Sequence, residues 1–443
     1  MAITMKNSEI EWMGMIPEKW NVISFWQSIK RMGTGLNPRD NFELTKEDEY
    51  YYVTIRNFKD GKLFLDDNCD RISKEAWEII QERSMLKKGD ILFASISKDG
   101  QAYILTEEPN NWNINESVFC IRINNEYYNE KYFYYHLTDC AYYNDLRMDA
   151  TGSTFQSIKQ NKLKKSRLLM PPLEEQKIIA DFLDEKCLAI DSVKEKTKVS
   201  IEEYKKLKQA IITQAVTKGV RGDRPMKDSG IEWIGEIPEE WTYGRIKYNT
   251  YVKGRIGWQG LRADEFIDEG PILVTGMHFD GDKVNWDICY HISEERYEEA
   301  PEIHLKEKDL IMTKDGTIGK VAYIDQLPDR ATLNSHLLIV RPTTNLYINH
   351  FMKWLIKSEV FIKYYSLKKY GSIMDSISQE QFKDFNFYCP SKEEQKEIAD
   401  YLDFKTKEID LLIEKKEQSL LKIEQYKKSL IYEYVTGKKQ VNA

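Results

Sequence analysis

The chain carries the same text twice. Met5 to Trp20 reads MKNSEIEWMGMIPEKW and Met226 to Trp241 reads MKDSGIEWIGEIPEEW, 221 positions further on. A longer match aligns Pro171 to Gly219 without gaps to Pro390 to Lys438, 219 positions apart. Within it the pattern E-E-Q-K-x-I-A-D-x-L-D recurs at Glu174 and Glu393, and a Val-Thr pair at Val216 and Val435. Self-similarity at a fixed period comes before any local reading, because it forces two copies of one structural unit. Weaker echoes lie between the frames. Leu86-Lys87 with Asp90 matches Leu305-Lys306 with Asp309, Lys98-Asp99-Gly100 matches Lys314-Asp315-Gly316, and Ala102-Tyr103-Ile104 matches Ala322-Tyr323-Ile324. Gly152-Ser153 with Ser157-Ile158 matches Gly371-Ser372 with Ser376-Ile377. Each copy has a strict frame and a divergent interior.

The block after Pro171-Pro172 reads as one long helix. Proline opens a helix and does not continue one, and Glu174 and Glu175 suit the positive end of the dipole. Leu183, Ile190, Thr197, Tyr204 and Ile211 recur every seven residues, with Val193 and Leu207 as the companion row. Leu402, Ile409, Lys416, Ile423 and Leu430 take the same places in the second copy. This is a heptad seam that needs burial, and the simplest partner for each helix is the other, packed antiparallel. Both seams break at the same height, at Thr197 and Lys416, where a polar residue fixes register. Gly219 and Gly437 stand where the apolar pattern stops. From Glu174 to Thr217 the helix spans roughly 66 Å. The interiors read as mixed α/β. Asp90 to Ile96, Ser117 to Ile123, Asp309 to Thr313 and Ser335 to Val340 look like strands, and Tyr132 to His136 and Phe351 to Ile356 like aromatic-rich helices. The chain therefore divides into a globule (1–170), a helix (171–220), a globule (221–389) and a helix (390–443).

A net charge of -7 is not that of a small basic DNA-binding protein, so any nucleic-acid contact must be local. Two basic clusters qualify: Lys159, Lys162, Lys164, Lys165 and Arg167, and then Arg245, Lys247, Lys253, Arg255 and Arg262. They suit phosphate, which gives position and not sequence; for any one of their lysines a solvated surface is the simpler account. Lys98 and Gly100, and in the second copy Lys314, Gly316 and Lys320, sit in loops after strands, where glycine admits close approach of a phosphate or base edge. Gly152, Ser153, Thr154, Gly371 and Ser372 offer small donors just before the long helices. An ordinary turn is the competing account of all these loops.

Several chemistries find no residues. No G-x-x-x-x-G-K-[ST] loop exists, and Gly316 to Lys320 has the wrong spacing for one. The six histidines show no HExxH or other metal spacing, so no metal site is expected. The six cysteines, Cys69, Cys120, Cys140, Cys187, Cys289 and Cys389, include no CxxC pair and read as reduced thiols. No run approaches the ~18 apolar residues of a membrane span, and MAITMKNSEIEW lacks a signal-peptide core. No catalytic constellation stands out, and the expected location is the cytoplasm.

The two I-E-W-x-G-x-I-P-x-x-W entries and the two P-x-x-E-E-Q-K-x-I-A-D-x-L-D helices with their Val-Thr endings resemble the specificity (S) subunits of type I restriction-modification systems. The resemblance covers the whole chain. It implies an α/β (α+β) fold of two target-recognition domains, separated by two long antiparallel coiled-coil helices. Each domain would read one half of a bipartite site in double-stranded DNA, and the helices would set the spacing. It implies as partners two methyltransferase subunits, which bring S-adenosylmethionine, and restriction/translocase subunits, which use ATP and Mg. The chain itself would hold no cofactor and catalyse nothing. The first copy lacks the Thr-Ile-Gly-Lys continuation that follows Gly316 in the second. Two rivals remain: an unusual stand-alone methyltransferase, and a coiled-coil adaptor that never touches DNA.

Overall fold

The computed structural model describes residues 4–39, 41–59, 61–97, 100–147, 157–255, 261–368 and 376–441. It divides into two compact units, Met1–Thr197 with Gln418–Ala443, and Lys198–Glu417. The division falls inside both long helices, so the globules and helices of the sequence regroup into two units that each own half of either helix.

In the first unit an antiparallel sheet runs in the order Ala102–Ile104, Ile91–Ala94, Val118–Ile123, Ile29–Thr34. Ile91–Ala94 is buried at every position, as expected of a strand covered on both faces. A second sheet sets Trp112–Ile114 parallel to Tyr50–Val53, with Arg71–Ile72 antiparallel on the far side. The second unit repeats both. Its sheets are ordered Thr250–Lys253, Leu337–Pro342, Leu310–Thr313, Val321–Tyr323, and Tyr290–His291, Ile267–Val274, Ala331–Leu333, the last two again parallel.

The repeated motifs turn out to be the joints of this frame. Asp90 closes the turn before its strand by accepting from the Lys87 amide (2.9 Å) and takes the fork of Arg122 at 2.7 and 2.8 Å. Asp309 does the same with the Lys306 amide and Arg341. The glutamine of E-E-Q-K is fully buried in both copies. Gln176 accepts from the Asn129 amide and donates to the Tyr127 and Pro171 carbonyls. Gln395 accepts from the Ile348 amide and donates to the Leu346 and Pro390 carbonyls. Each thereby pins the start of a long helix to the loop before an aromatic-rich helix, Glu130–Thr138 or Asn349–Ile356.

The long helices are Leu173–Lys218 and Lys392–Val435, of 46 and 44 residues. In the first unit they pack antiparallel, with Lys427 on Asp191 (2.7 Å) and Lys194 on Glu424 (3.0 Å). In the second unit they also run antiparallel, with Lys208 on Asp410 (2.6 Å) and Lys416 over the Tyr204 ring. Leu183, Leu402, Ile409 and Leu430 are buried, and Ile190, Tyr204, Ile211 and Ile423 half-buried. The companion row is not the one expected: Val193 and Leu207 are about half exposed, at 51% and 48%. The row that packs lies one residue later, at Cys187, Lys194, Ile201, Lys208 and Ala215. Two of its five members are lysines, which acids of the opposing helix neutralise. No helix among the described residues is long and apolar enough to cross a membrane.

Candidate nucleic-acid interface

In each unit several chain segments come together where strands end. In the first, the parallel strands Tyr50–Val53 and Trp112–Ile114 finish side by side, and the Asn115 amide donates to the Val53 carbonyl (2.9 Å). The Ser95 amide, just past Ile91–Ala94, donates to the Ser117 carbonyl, and the Ile158 amide to the Ser95 carbonyl (both 2.8 Å). In the second unit the Asn334 amide donates to Val274 (3.0 Å), Lys314 to His336 (3.0 Å) and Ile377 to Lys314 (2.8 Å). Loops separated by tens of residues thus form one cluster, twice, and with the same backbone bonds.

Two of the loops in each cluster are rigid turns. Val53-Thr54-Ile55-Arg56-Asn57-Phe58 and Val274-Thr275-Gly276-Met277-His278-Phe279 both make a 3-10 turn capped by threonine. The Thr54 hydroxyl accepts from the Arg56 amide and Thr275 from the Met277 amide, each at 3.3 Å. Asn57 closes the first turn by accepting from the Thr54 amide (2.8 Å); His278 Nδ1 accepts from the Thr275 amide (3.1 Å). Burial holds the His278 imidazole below its ordinary pKa, which keeps that nitrogen free to accept. Asn115 and Asn334 make the other turn, accepting from the Ser117 and His336 amides (both 3.1 Å). In the first unit these turns wall a cleft of about 610 Å³ lined by Thr54, Arg56, Asn57, Asn68, Asn115 and Ser117 among others. Sequence reading passed over both turns, although V-T-x-x-x-F stands at the repeat offset.

The candidate residues fall in several places. Lys98, Gly152, Ser153, Thr154, Gly371 and Ser372 lie outside the described residues. Lys314 and Gly316 are in the second cluster, Lys314 by its backbone and Gly316 exposed with φ +71°. The loop they open is closed by Thr313, whose hydroxyl accepts from the Lys320 amide (3.1 Å), leaving the Lys320 side chain exposed. Lys159 is exposed just ahead of the short helix Gln160–Lys165, where Lys164 lies over the Trp26 ring (4.8 Å). Lys253 is half-buried at the end of its strand.

Two readings need correction, those of Arg255 and Gly100. Arg255 is buried, with 2% exposure, and its Nε donates to the Leu333 carbonyl (2.9 Å), so it is a framework residue and no surface cation. Arg245 stays partly exposed, paired with Asp384, which raises its guanidinium's pKa. Gly100 is buried, and a Cβ there would stand 2.6 Å from the Leu137 carbonyl, so its glycine serves close packing of a helix. Two of the weaker echoes also shift. Ile91 pairs with Ile104 and Leu310 with Tyr323, which makes Ala102 equivalent to Val321 and Ser95 to Lys314. Lys98-Asp99-Gly100 therefore sits three positions later in its loop than Lys314-Asp315-Gly316.

Comparison with known proteins agrees with this architecture. The family model for the type I restriction modification DNA specificity domain matches residues 17–203 and 261–422. The chain is 23% identical over 430 residues to the type I restriction enzyme MjaVIII specificity subunit of Methanocaldococcus jannaschii, covering 96% of this chain and 94% of that one. It is 27% identical to the putative type I restriction enzyme MjaX specificity subunit of the same organism, covering 98% and 96%. Its fold resembles that of a chain from a structure concerned with assembly and conformational transition of the type I R-M system, with a TM-score of 0.67 at 14% identity and coverage of 95% and 98%. Two matched segments, each falling on one copy of the repeated frame, place this chain in the family of type I restriction-modification DNA specificity proteins.

Proposed function

We propose that this chain is the DNA-reading component of a type I restriction-modification complex and performs no chemistry itself. Each unit reads one half of a bipartite site in double-stranded DNA, and the two long helices set the distance between the halves and dock two methyltransferase subunits. Restriction/translocase subunits join the same assembly. S-adenosylmethionine, ATP and Mg are bound by those partners, which methylate adenine and cut, and the complex works in the cytoplasm. The observation that carries this reading is the loop cluster built twice on one frame with different residues at matching places: exposed Arg56 and half-buried Ser117 in one copy, exposed Met277 and His336 in the other. A frame that is kept while its surface changes is what two readers of unlike half-sites require.

The test is methylome sequencing of a host with and without the chain, and with residues 226–389 exchanged for those of a relative. A bipartite adenine motif that vanishes on deletion, and changes in only one half on exchange, is expected. Methyl transfer to DNA by the purified chain alone with S-adenosylmethionine would overturn the non-catalytic assignment.

A further inference from the structure

Arg56 and Met277 hold the same place in the two units, the tip of the threonine-capped turn. The turn is fixed on every side. Asn57 accepts from the Thr54 amide and donates to the Phe64 carbonyl, and the Asn285 amide donates to the His278 carbonyl (2.8 Å). Yet both tip side chains stand in solvent: Arg56 is exposed and Met277 is 73% exposed. A methionine on a rigid turn leaves a thioether in water with nothing to bury it. Arg56 makes no ion pair with another described residue, a state it shares with the exposed Arg167, but it also lines the cleft of about 610 Å³. In a chain with net charge -7, an exposed arginine on a hydrogen-bonded turn, lining one cleft with Asn57 and Asn115, is a positive group that an external ligand can reach.

Resting on the reading of the chain as a DNA-recognition subunit, we infer that this turn is a base-reading element in both units: Arg56 takes a guanine edge, and Met277 an apolar edge such as the thymine methyl. Arginine matches the O6 and N7 acceptors of guanine with two parallel donors. Methionine has no donor and only a weak thioether acceptor, so its main contact with a base edge is apolar, as with the thymine methyl. The two half-sites then differ at the base pair this turn meets, with G·C in the half read by the first unit and A·T in the other.

Selection from a randomised duplex library tests this, using the full chain assembled with its modification subunits. Arg56→Ala is expected to lower the preference for guanine at one position of one half-site by about 10- to 100-fold, leaving the other half-site unchanged. Met277→Ala is expected to weaken the preference for A·T at one position of the other half. An unchanged motif overturns the assignment. So does a uniform weakening across all sequences with a salt slope smaller by about one contact, the signature of a phosphate ligand. The intact half-site is the folding control; if Arg56→Ala melts lower than the parent, Arg56→Lys, which keeps the charge and loses the fork, is read in the same way. A parent complex that enriches no bipartite motif sinks the DNA-recognition reading, and the assignment falls with it.

Discussion

Gln176 and Gln395 show how a polar side chain can hold a frame. Each is fully buried and uses its whole amide on three backbone groups of two segments. Leucine would fill similar space but strand an amide and two carbonyls. Since an unmet buried group costs about 1–3 kcal/mol, Gln395→Leu is expected to lower stability by about 3 kcal/mol or more, read as an earlier midpoint in urea unfolding. The sequence marked these glutamines as repeated without saying what they do, because their partners are backbone groups, which leave no trace in side-chain text. The opposite failure befell Arg255 and Gly100. A run of basic residues reads as surface whichever member faces inward, and a glycine required by a neighbouring carbonyl reads like one required by a ligand. Arg56 went unremarked because a single arginine has no pattern around it; only the turn beneath it makes it conspicuous.

At the scale of elements, the contacts between each aromatic-rich helix and its long helix centre on one carboxylate. Asp184 accepts from the Tyr135 hydroxyl (2.7 Å). Asp403 accepts from Lys353 Nζ (2.7 Å) and Trp354 Nε1 (3.0 Å), and pairs with His350 Nε2 (2.7 Å). Burial alone would push Asp403 up, but hydrogen bonds and charge from His350 and Lys353 outweigh it and hold the carboxyl at about 2. A carboxyl depressed in the folded state stabilises fully above its unfolded pKa of 3.8, and that stabilisation is lost as pH falls through about 2. With a side chain 42% exposed, screening trims the effect to about 1 kcal/mol. The stability difference between parent and Asp403→Asn is therefore expected to shrink between pH 4 and pH 2, and chemical unfolding across that range checks it. The helices themselves were plain in the sequence, from Pro171-Pro172 and the seven-residue rhythm. The second row of the seam was not, since hydrophobicity favours Val193 and Leu207. Lys194 and Lys208 enter the seam only because Glu424 and Asp410, more than 200 positions away in sequence, meet them there.

For the whole molecule, the repeat predicts a circular logic, and the first unit has it. Lys438 Nζ donates to the Met13 and Met15 carbonyls (2.9 and 3.3 Å), and the Tyr432 hydroxyl to the Trp12 carbonyl (3.2 Å). The corresponding stretch of the second unit continues covalently, from Lys218 through Gly222 to the strand Met226–Asp228, with Arg224 bridging Glu240 and Glu394. A chain with residue 443 joined to residue 1 and opened at Gly222 is thus expected to unfold as cooperatively as the parent; an insoluble or non-cooperative permutant would count against equivalence of the two junctions. The same connectivity has a temporal side. The second unit is one uninterrupted stretch nested inside the first, whose core is completed by Leu430, Ile431 and Val435 near the far end of the chain. During synthesis the globule made first must therefore wait, its apolar face uncovered, while the one made later closes ahead of it. At about 5–20 residues per second, the exposure lasts on the order of ten to fifty seconds, so the burden of protecting the nascent protein falls on its opening half.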